Sequence, residues 1–219
     1  MNPAAYAHIL QAALGHIPAH IQHVADYETC AREFIADDIW YYIQSGSDQN
    51  LSLAANRRSF DQLALLPRVL RSVHEGHTRV HLFGHEHRAP LLLAPVAYHG
   101  LVHPDAELAT VQAAVAMQTA MVVSTLASRR FMDIRRTAEA AAQELQRPVP
   151  PLWLQLYSQP TRVQTQAVLQ AAAEANFDAI VWTVDAHYKR TAMALPVGVS
   201  AVNTDAEAQY KHTSQLLDE

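Results

Sequence analysis

The sequence predicts an α/β fold in which about four parallel β-strands alternate with helices, after an N-terminal helical segment and a small hairpin. In the second half of the chain, short apolar runs alternate with Ala-rich stretches that have helical spacing. Strands that alternate with helices of this length form βαβ units, which place their strands parallel in one sheet. The apolar runs are Leu91–Ala94, Met121–Val123, Leu152–Leu156 and Ala179–Thr183.

The N-terminal region has the spacing of helices. Residues 4–13 and 24–44 repeat apolar side chains at helical intervals, which predicts two helices, the second ending at Gly46 in a left-handed cap. A shorter helix is predicted over Asn50–Phe60. Leu63–Leu70 is predicted to be an extended segment that Pro67 breaks.

A small hairpin is predicted over residues 79–90. Val80 and Leu82 alternate with polar residues, and Gly84–His85 supplies the turn. Further along, Pro104 and Pro160 precede Ala-rich stretches and mark the starts of helices. The predicted helices of this second half cover residues 104–118, 128–144 and 161–175.

Composition limits the class of protein. The chain has 219 residues, of which 50% are hydrophobic and 17% are charged, as is typical of a globular domain with an arm. A net charge of −5 without a Lys/Arg cluster argues against nucleic-acid binding. The longest apolar run, Leu91–Ala97, is too short to span a membrane. With Cys30 as the single cysteine and no signal-peptide pattern, we expect a soluble cytoplasmic protein.

Polar side chains end three of the four predicted strands. Ser124, Gln155 and Thr183 each follow or close an apolar run, and ligands of parallel β/α folds bind beyond these carboxyl ends. Strand ends also become polar simply because they reach water, so the pattern alone leaves both interpretations open. A carboxamide can donate and accept together, which suits a flat ring such as isoalloxazine. The small residues Ala94 and Ala97 would let such a ring lie against the first strand.

Several blocks of the sequence resemble successive signatures of the FMN-dependent 2-hydroxy-acid oxidoreductases, the family of glycolate oxidase, lactate oxidase and the flavocytochrome lactate dehydrogenases. The blocks keep the family's order and spacing over roughly residues 30–203, about half of a family member. The YHGLVHP stretch is most similar to lactate oxidase. The blocks are YYIQSGSDQN, NRRSFD, PRVL, LLLAPVAYHGLVHPDAE, MVVSTLAS, WLQLY and VWTVD.

The resemblance implies FMN as cofactor and oxidation of a small, lactate-like 2-hydroxy acid to a 2-keto acid. It also implies the first half of a (β/α)8 TIM-type barrel over residues 79–203, after an N-terminal helical arm over 1–78 and before a loop or tail over 204–219. In such a half-barrel the outer strand edges are unpaired. We therefore expect self-association or a complementary chain that completes the barrel.

By the same resemblance, six residues would contact the flavin: Pro95, Val96 and Ala97 through their backbone, and Ser124, Gln155 and Thr183 through hydrogen bonds to the ring. Val96 stands where many relatives carry threonine, a change that matters little to a backbone contact.

Three residues would contact the substrate. Tyr42 would bind its carboxylate, although a helix tyrosine that packs on the sheet is the simpler alternative. Tyr157 would lie near the substrate hydroxyl or carboxylate. Arg190 is the candidate for the family's substrate-binding arginine, in a loop that is shorter here than the family pattern.

No catalytic residue is assigned. The family's base, carboxylate-binding guanidinium and flavin-stabilising cation belong to a His-Gly-x-Arg-Gln motif and a lysine strand, and neither is present in this sequence. Three hypotheses follow: an enzyme subunit that a partner completes, an inactive half-barrel that binds flavin weakly or only a protein, and a truncated product. The histidines His81, His85 and His87 are not predicted to bind a metal, because no cysteine or carboxylate pattern completes the site.

Overall fold

The computed structural model describes residues 18–72, 74–185 and 201–204. These fall into two compact units that divide between His77 and Thr78. The predicted helix over 4–13 and the predicted tail beyond residue 204 lie outside the described residues. Among the described helices, none combines the length and the apolar character needed to cross a lipid bilayer.

The N-terminal unit contains three helices, α1 (Asp26–Arg32), α2 (Asp37–Gln44) and α3 (Leu51–Asp61). The prediction of one helix over 24–44 is therefore wrong. The chain breaks at Ala36, which is extended at φ −58° and ψ 148°, and the acidic side chains at the start of α2 favour a new helix N-terminus there.

Arg32 joins the two helices across the break. Its guanidinium donates to the Ile35 carbonyl at 3.2 Å, pairs with the Asp37 carboxylate, and lies 5.4 Å from the centre of the Trp40 ring. These contacts fix the direction in which α2 leaves α1.

Gly46 does not adopt the predicted left-handed cap. α2 ends at Ser45 with φ −83° and ψ 138°, and Gly84 is the described glycine with a positive φ. The need for glycine at 46 is instead steric: its N–H donates to Asn50 Oδ1 at 2.7 Å, and an added Cβ would lie 3.0 Å from the Leu53 Cβ.

The second unit opens with the predicted hairpin, β1 (Val80–Leu82) paired antiparallel with β2 (His85–His87). Its turn lies at Phe83 and Gly84, with φ of 48° and 79°, one residue earlier than predicted. Positive φ at both positions is typical of the tight turn that matches the twist of a hairpin.

A parallel sheet follows, in the order β3, β4, β5. Its strands alternate with helices, which confirms the predicted α/β fold. The strands are β3 (Met121–Ser124), β4 (Leu152–Leu156) and β5 (Ala179–Trp182), and the helices are α4 (Glu107–Met117), α5 (Phe131–Leu145) and α6 (Arg162–Glu174).

The first predicted strand, Leu91–Ala94, forms no ladder within the described residues. It makes a single parallel bridge, Leu93 with Met121, through Leu93 N to Ala120 O at 3.0 Å and Val122 N to Leu93 O at 2.9 Å. Prolines stand on both sides of this segment, at 90 and 95. Because proline has no N–H to donate, it limits the length of the ladder.

The two faces of β4 do different work. Leu152, Leu154 and Leu156 belong to the buried apolar core together with residues of α4, α5 and α6. Trp153 and Gln155 alternate with them and therefore face the other side of the sheet. On that side the hairpin residue Phe83 packs edge-on against Trp153, with ring centres 5.0 Å apart.

The start of α4 is strained. Its N-cap residue, Ala106, is buried and has φ 52° and ψ −131°, a backbone conformation that side chains with a Cβ disfavour by about 1–3 kcal/mol. By contrast, α6 begins at Thr161 with a capping box to Gln164, and this satisfies two backbone N–H groups without strain.

Replacing Ala106 with glycine is expected to raise the free energy of unfolding by about 0.5–1 kcal/mol, because relief of the strain exceeds the loss of one buried methyl group and the larger unfolded-chain entropy of glycine. Urea denaturation measures the change. The control is Ala113→Gly at an exposed position inside α4, which should lower the same quantity by about 1 kcal/mol. Equal destabilisation by both substitutions would contradict the prediction.

Candidate functional site

Three polar side chains form a hydrogen-bonded row across the carboxyl ends of β3, β4 and the segment after β5. Ser124 Oγ donates to Gln155 Oε1 at 3.2 Å, and Gln155 Nε2 donates to Thr183 Oγ1 at 2.8 Å. Parallel pairing explains the row, because Ser124 stands directly opposite Gln155 in the register. The structure therefore brings together the three residues that the sequence predicts as flavin contacts.

The row leaves specific hydrogen-bonding groups unused. Gln155 Oε1 already accepts from Ser124 and, at 3.4 Å, from the Thr125 N–H, and Ser124 Oγ accepts from Leu126 N at 3.1 Å. Among the described residues, one Nε2 hydrogen of Gln155 and the hydroxyl hydrogen of Thr183 have no acceptor. Both are donors, so the row fits a planar ligand that presents acceptors such as ring carbonyls or an unprotonated ring nitrogen.

Thr125 fixes the strand ends behind the row. Its side chain is completely buried, its hydroxyl donates to the Gln155 carbonyl, and the same oxygen accepts from the Tyr157 N–H at 3.0 Å. Tyr157, a predicted substrate contact, is half-buried, and its carbonyl accepts from Gln159 Nε2 at 2.8 Å. The backbone that carries Tyr157 is therefore held on both sides.

The predicted backbone contacts lie in the loop after the Leu93 bridge. Val96 is 56% exposed, and Pro95 is also exposed while Ala97 is half-buried. Tyr98 follows with φ 54°, and its N–H donates to the Leu126 carbonyl at 3.1 Å. This bond places the end of the loop next to the loop that follows Ser124.

Glu107 contacts these two loops. The sequence predicts no function for it. The side chain is 1% exposed, its Oε1 accepts from Ser128 N at 2.8 Å and from His99 N at 3.3 Å, and its Oε2 has no partner among the described residues. An acidic residue in the first turn of a predicted helix was the available signal. That pattern is usually explained by the helix dipole alone.

The buried environment of His99 perturbs the pKa of its imidazole. Burial lowers the pKa of its imidazole below the ordinary value, against the opposing effects of the Glu107 charge and of a hydrogen bond to the Val96 backbone. Its Nδ1 lies 3.0 Å from Thr110 Oγ1. The hydrogen bond to Thr110 joins the His99 ring to α4.

Two predicted substrate contacts stay predictions. Tyr42 is half-buried on α2 in the N-terminal unit, and Arg190 lies outside the described residues. The substrate role of Tyr157 and the cofactor roles of the six flavin contacts likewise stay predictions.

The three clustered histidines have separate neighbours. His81 Nε2 lies 3.5 Å from Glu86 Oε2, His85 Nε2 lies 3.7 Å from Asp178 Oδ1, and His87 is buried near Trp153. Over the described ranges, no group of three or more histidine, cysteine or acidic side chains is arranged to hold a metal ion.

A cavity of about 500 Å³ lies elsewhere, between the N-terminus of α5, α6 and residues 202–204. None of the predicted flavin contacts lines it. It is therefore separate from the row of Ser124, Gln155 and Thr183.

Comparison with known sequences points in one direction. Residues 31–213 match the family described as FMN-dependent dehydrogenase. The chain is 42% identical over 170 residues to an L-lactate oxidase of Alicycliphilus denitrificans, a match that covers 78% of this chain and 44% of that protein. It is 32% identical over 190 residues to a 4-hydroxymandelate oxidase of Amycolatopsis orientalis, covering 84% of this chain and 50% of that protein. The chain spans about half the length of the curated relatives it matches.

Solved structures agree. A crystal structure of mandelate oxidase with 3,3-difluoro-2-hydroxy-3-phenylpropionic acid superposes with a TM-score of 0.73 at 31% identity, covering 84% of this chain and 55% of that chain. A mandelate oxidase mutant with the C4a-OH-FMN adduct superposes with a TM-score of 0.72 at 30% identity, covering 82% and 54% of the two chains. The likeness confirms the expected fold, part of a (β/α)8 barrel.

The lowered pKa of His99 makes stability depend on pH. Because the pKa is lower in the folded state, the unfolded chain binds more protons as the pH falls below about 6.5, so stability is lost from there downwards. His99→Asn removes this titration and should flatten the fall in the free energy of unfolding between about pH 7.5 and pH 5. Urea denaturation at a series of pH values measures it, and equal slopes in wild type and variant would refute the prediction.

Proposed function

Because the chain belongs to the FMN-dependent dehydrogenase family, we propose that it forms the flavin-binding half of an enzyme that oxidises a small, lactate-like 2-hydroxy acid to the 2-keto acid. The cofactor of this family is FMN, which supplies the two-electron acceptor for such an oxidation. The observation that carries the proposal is the row of Ser124, Gln155 and Thr183, which is assembled within one parallel sheet. The lone cysteine, Cys30, supports a cytoplasmic location.

The chemistry of the row supports flavin as the ligand. The free donors on Gln155 and Thr183 would bind acceptor atoms along one edge of the isoalloxazine ring. The backbone of Pro95–Ala97 would lie against the ring, where the small side chain of Ala97 permits close approach. Ser124 would act mainly by fixing the carboxamide of Gln155, since its own proton is already donated.

A lactate-like substrate is supported by the relatives, several of which are named L-lactate oxidase. Tyr42 and Tyr157 would donate hydroxyl hydrogen bonds to the substrate, and Arg190 would pair with its carboxylate, because a guanidinium binds a carboxylate with two parallel hydrogen bonds. We assign no catalytic base to the described residues.

A second candidate is a half-barrel that binds flavin without turnover. The observation that favours it is that the whole row of Ser124, Gln155 and Thr183 lies on, or directly after, strands of the described sheet, so ring binding would not depend on the groups that the oxidation requires. The two candidates differ in a single measurable property, reduction of bound flavin by substrate.

The third strand of the sheet suggests how the barrel is completed. β5 is the edge of the described parallel sheet, and its residues Ile180, Val181 and Trp182 are 44%, 40% and 51% exposed. An edge strand with exposed apolar side chains favours pairing with another strand. We propose that a complementary chain, or in its absence a second copy, pairs here.

The purified protein, incubated with FMN and desalted, should retain the visible flavin absorption. Under the first candidate, L-lactate added without oxygen should bleach it in an assembly that also supplies the base and the cation, because this sequence lacks the motif that provides them. Gln155→Leu should weaken FMN binding about tenfold or more, because a buried carboxamide with two hydrogen-bonded neighbours is lost. The control is Gln143→Leu at an exposed position of α5, which should bind like the wild type. Retention without bleaching would favour the second candidate, and no retention would contradict both.

Val181→Lys should weaken self-association about tenfold or more, because a charge on the edge strand β5 would be buried unpaired where the second copy pairs with it. Sedimentation velocity over a range of protein concentrations measures this. Val163→Lys, at an exposed position on α6, is the control. A wild-type protein that stays a monodisperse monomer and unfolds cooperatively would contradict the proposed pairing.

A further inference from the structure

Two loops face the proposed flavin site, and hydrogen bonds join them along their length. The first loop, residues 95–101, follows the Leu93 bridge, and the second loop, residues 125–130, follows β3. Tyr98 N donates to Leu126 O at 3.1 Å, and Gly100 N donates to Ser128 Oγ at 3.0 Å. Two specific hydrogen bonds therefore help to set the spacing between the loops.

The Glu107 side chain also connects the two loops. One oxygen of its carboxylate accepts from His99 N of the first loop at 3.3 Å and from Ser128 N of the second loop at 2.8 Å. A single atom thus holds the backbones of both loops. The first loop carries Pro95–Ala97, which are proposed to contact the ring, and the second loop begins directly after Ser124, the last residue of β3.

We propose that Glu107 is a positioning residue that sets the spacing of the two flavin-facing loops. The inference deepens the proposed function and rests on it. Glu107 does not touch the ring in this proposal, and it acts through the backbone of His99 and Ser128.

The free-energy cost of burying the Glu107 carboxylate indicates that this residue does more than begin α4. Burial of a carboxylate is unfavourable unless its oxygens are hydrogen-bonded, yet Oε2 of Glu107 is buried without a partner among the described residues. Strained backbone precedes both Glu107 and its partner His99, at Ala106 with φ 52° and at Tyr98 with φ 54°. Strain of this kind persists where the surrounding structure over-determines a local geometry, and it concentrates at functional sites.

Two substitutions of Glu107 distinguish the charge of its carboxylate from its hydrogen bonds to the two loops. Glu107→Gln keeps an accepting oxygen of similar position, whereas Glu107→Ala removes it and leaves two buried N–H groups unpaired. The matched controls are Glu144→Gln and Glu144→Ala, at an exposed position of α5.

The test measures the FMN dissociation constant by fluorescence titration, the position of the visible flavin bands, and the unfolding midpoint without FMN. Glu107→Ala should weaken FMN binding about tenfold and shift the flavin bands, whereas Glu107→Gln should stay within about threefold of wild type. A role in stability alone would lower the unfolding midpoint but leave affinity and bands unchanged, and this result would overturn the proposal.

If Glu107→Ala does not fold, Ser128→Ala provides the same test from the second loop. It removes the acceptor of Gly100 N, and FMN binding about threefold weaker with the same direction of band shift is expected. Unchanged binding and bands in Ser128→Ala would also overturn the proposal. Wild-type protein that binds no FMN would overturn the proposed function itself and this inference with it, whereas equal binding by wild type and variants would overturn the inference alone.

Discussion

The carboxamide of Gln155 is the contact on which the candidate site depends. It accepts from Ser124 on one side and donates to Thr183 on the other, so three separate stretches of chain meet at one planar group. Behind it the buried hydroxyl of Thr125 ties the same strand to its neighbour. Because a side-chain amide has distinct donor and acceptor ends, the row has a direction, and within the described part of the chain its unused donors lie toward Thr183.

The polar row is supported by an apolar layer of simple design. On β4, leucines at every second position pack against the helices, and the alternate positions are left for Trp153 and Gln155. Burial of the leucine face therefore determines which way Gln155 points. A shift of one residue in the pairing of β4 would turn the carboxamide into the core and the leucines into the site.

The sequence predicts those parts of the structure that depend on regular repetition. Ser124, Gln155 and Thr183 meet as expected, because carboxyl ends of neighbouring parallel strands lie at one edge of a sheet. The contacts of Glu107 could not be predicted, since its partners lie in a short 3-10 helix that begins at His99 and in the loop at Ser128, whose paths depend on the folded chain. The break of the helix over 24–44 was missed for a related reason: apolar spacing continues through residues 33–36, although α1 ends at Arg32 and the extended backbone at Ala36 precedes the start of α2. At Leu91–Ala94 an apolar run suggested a strand, but prolines on both sides leave a single bridge.

The position of Trp153 would allow tryptophan fluorescence to report flavin binding. Its indole lies on the same face of β4 as Gln155, two residues away, a separation of about 7 Å along the strand. One edge of the ring is covered by Phe83, so the indole is shielded from water on the side of the hairpin. A flavin held by Gln155 would lie well within the range over which excitation energy passes from indole to isoalloxazine, and ring occupancy would be readable from the quenching of tryptophan emission without any added label.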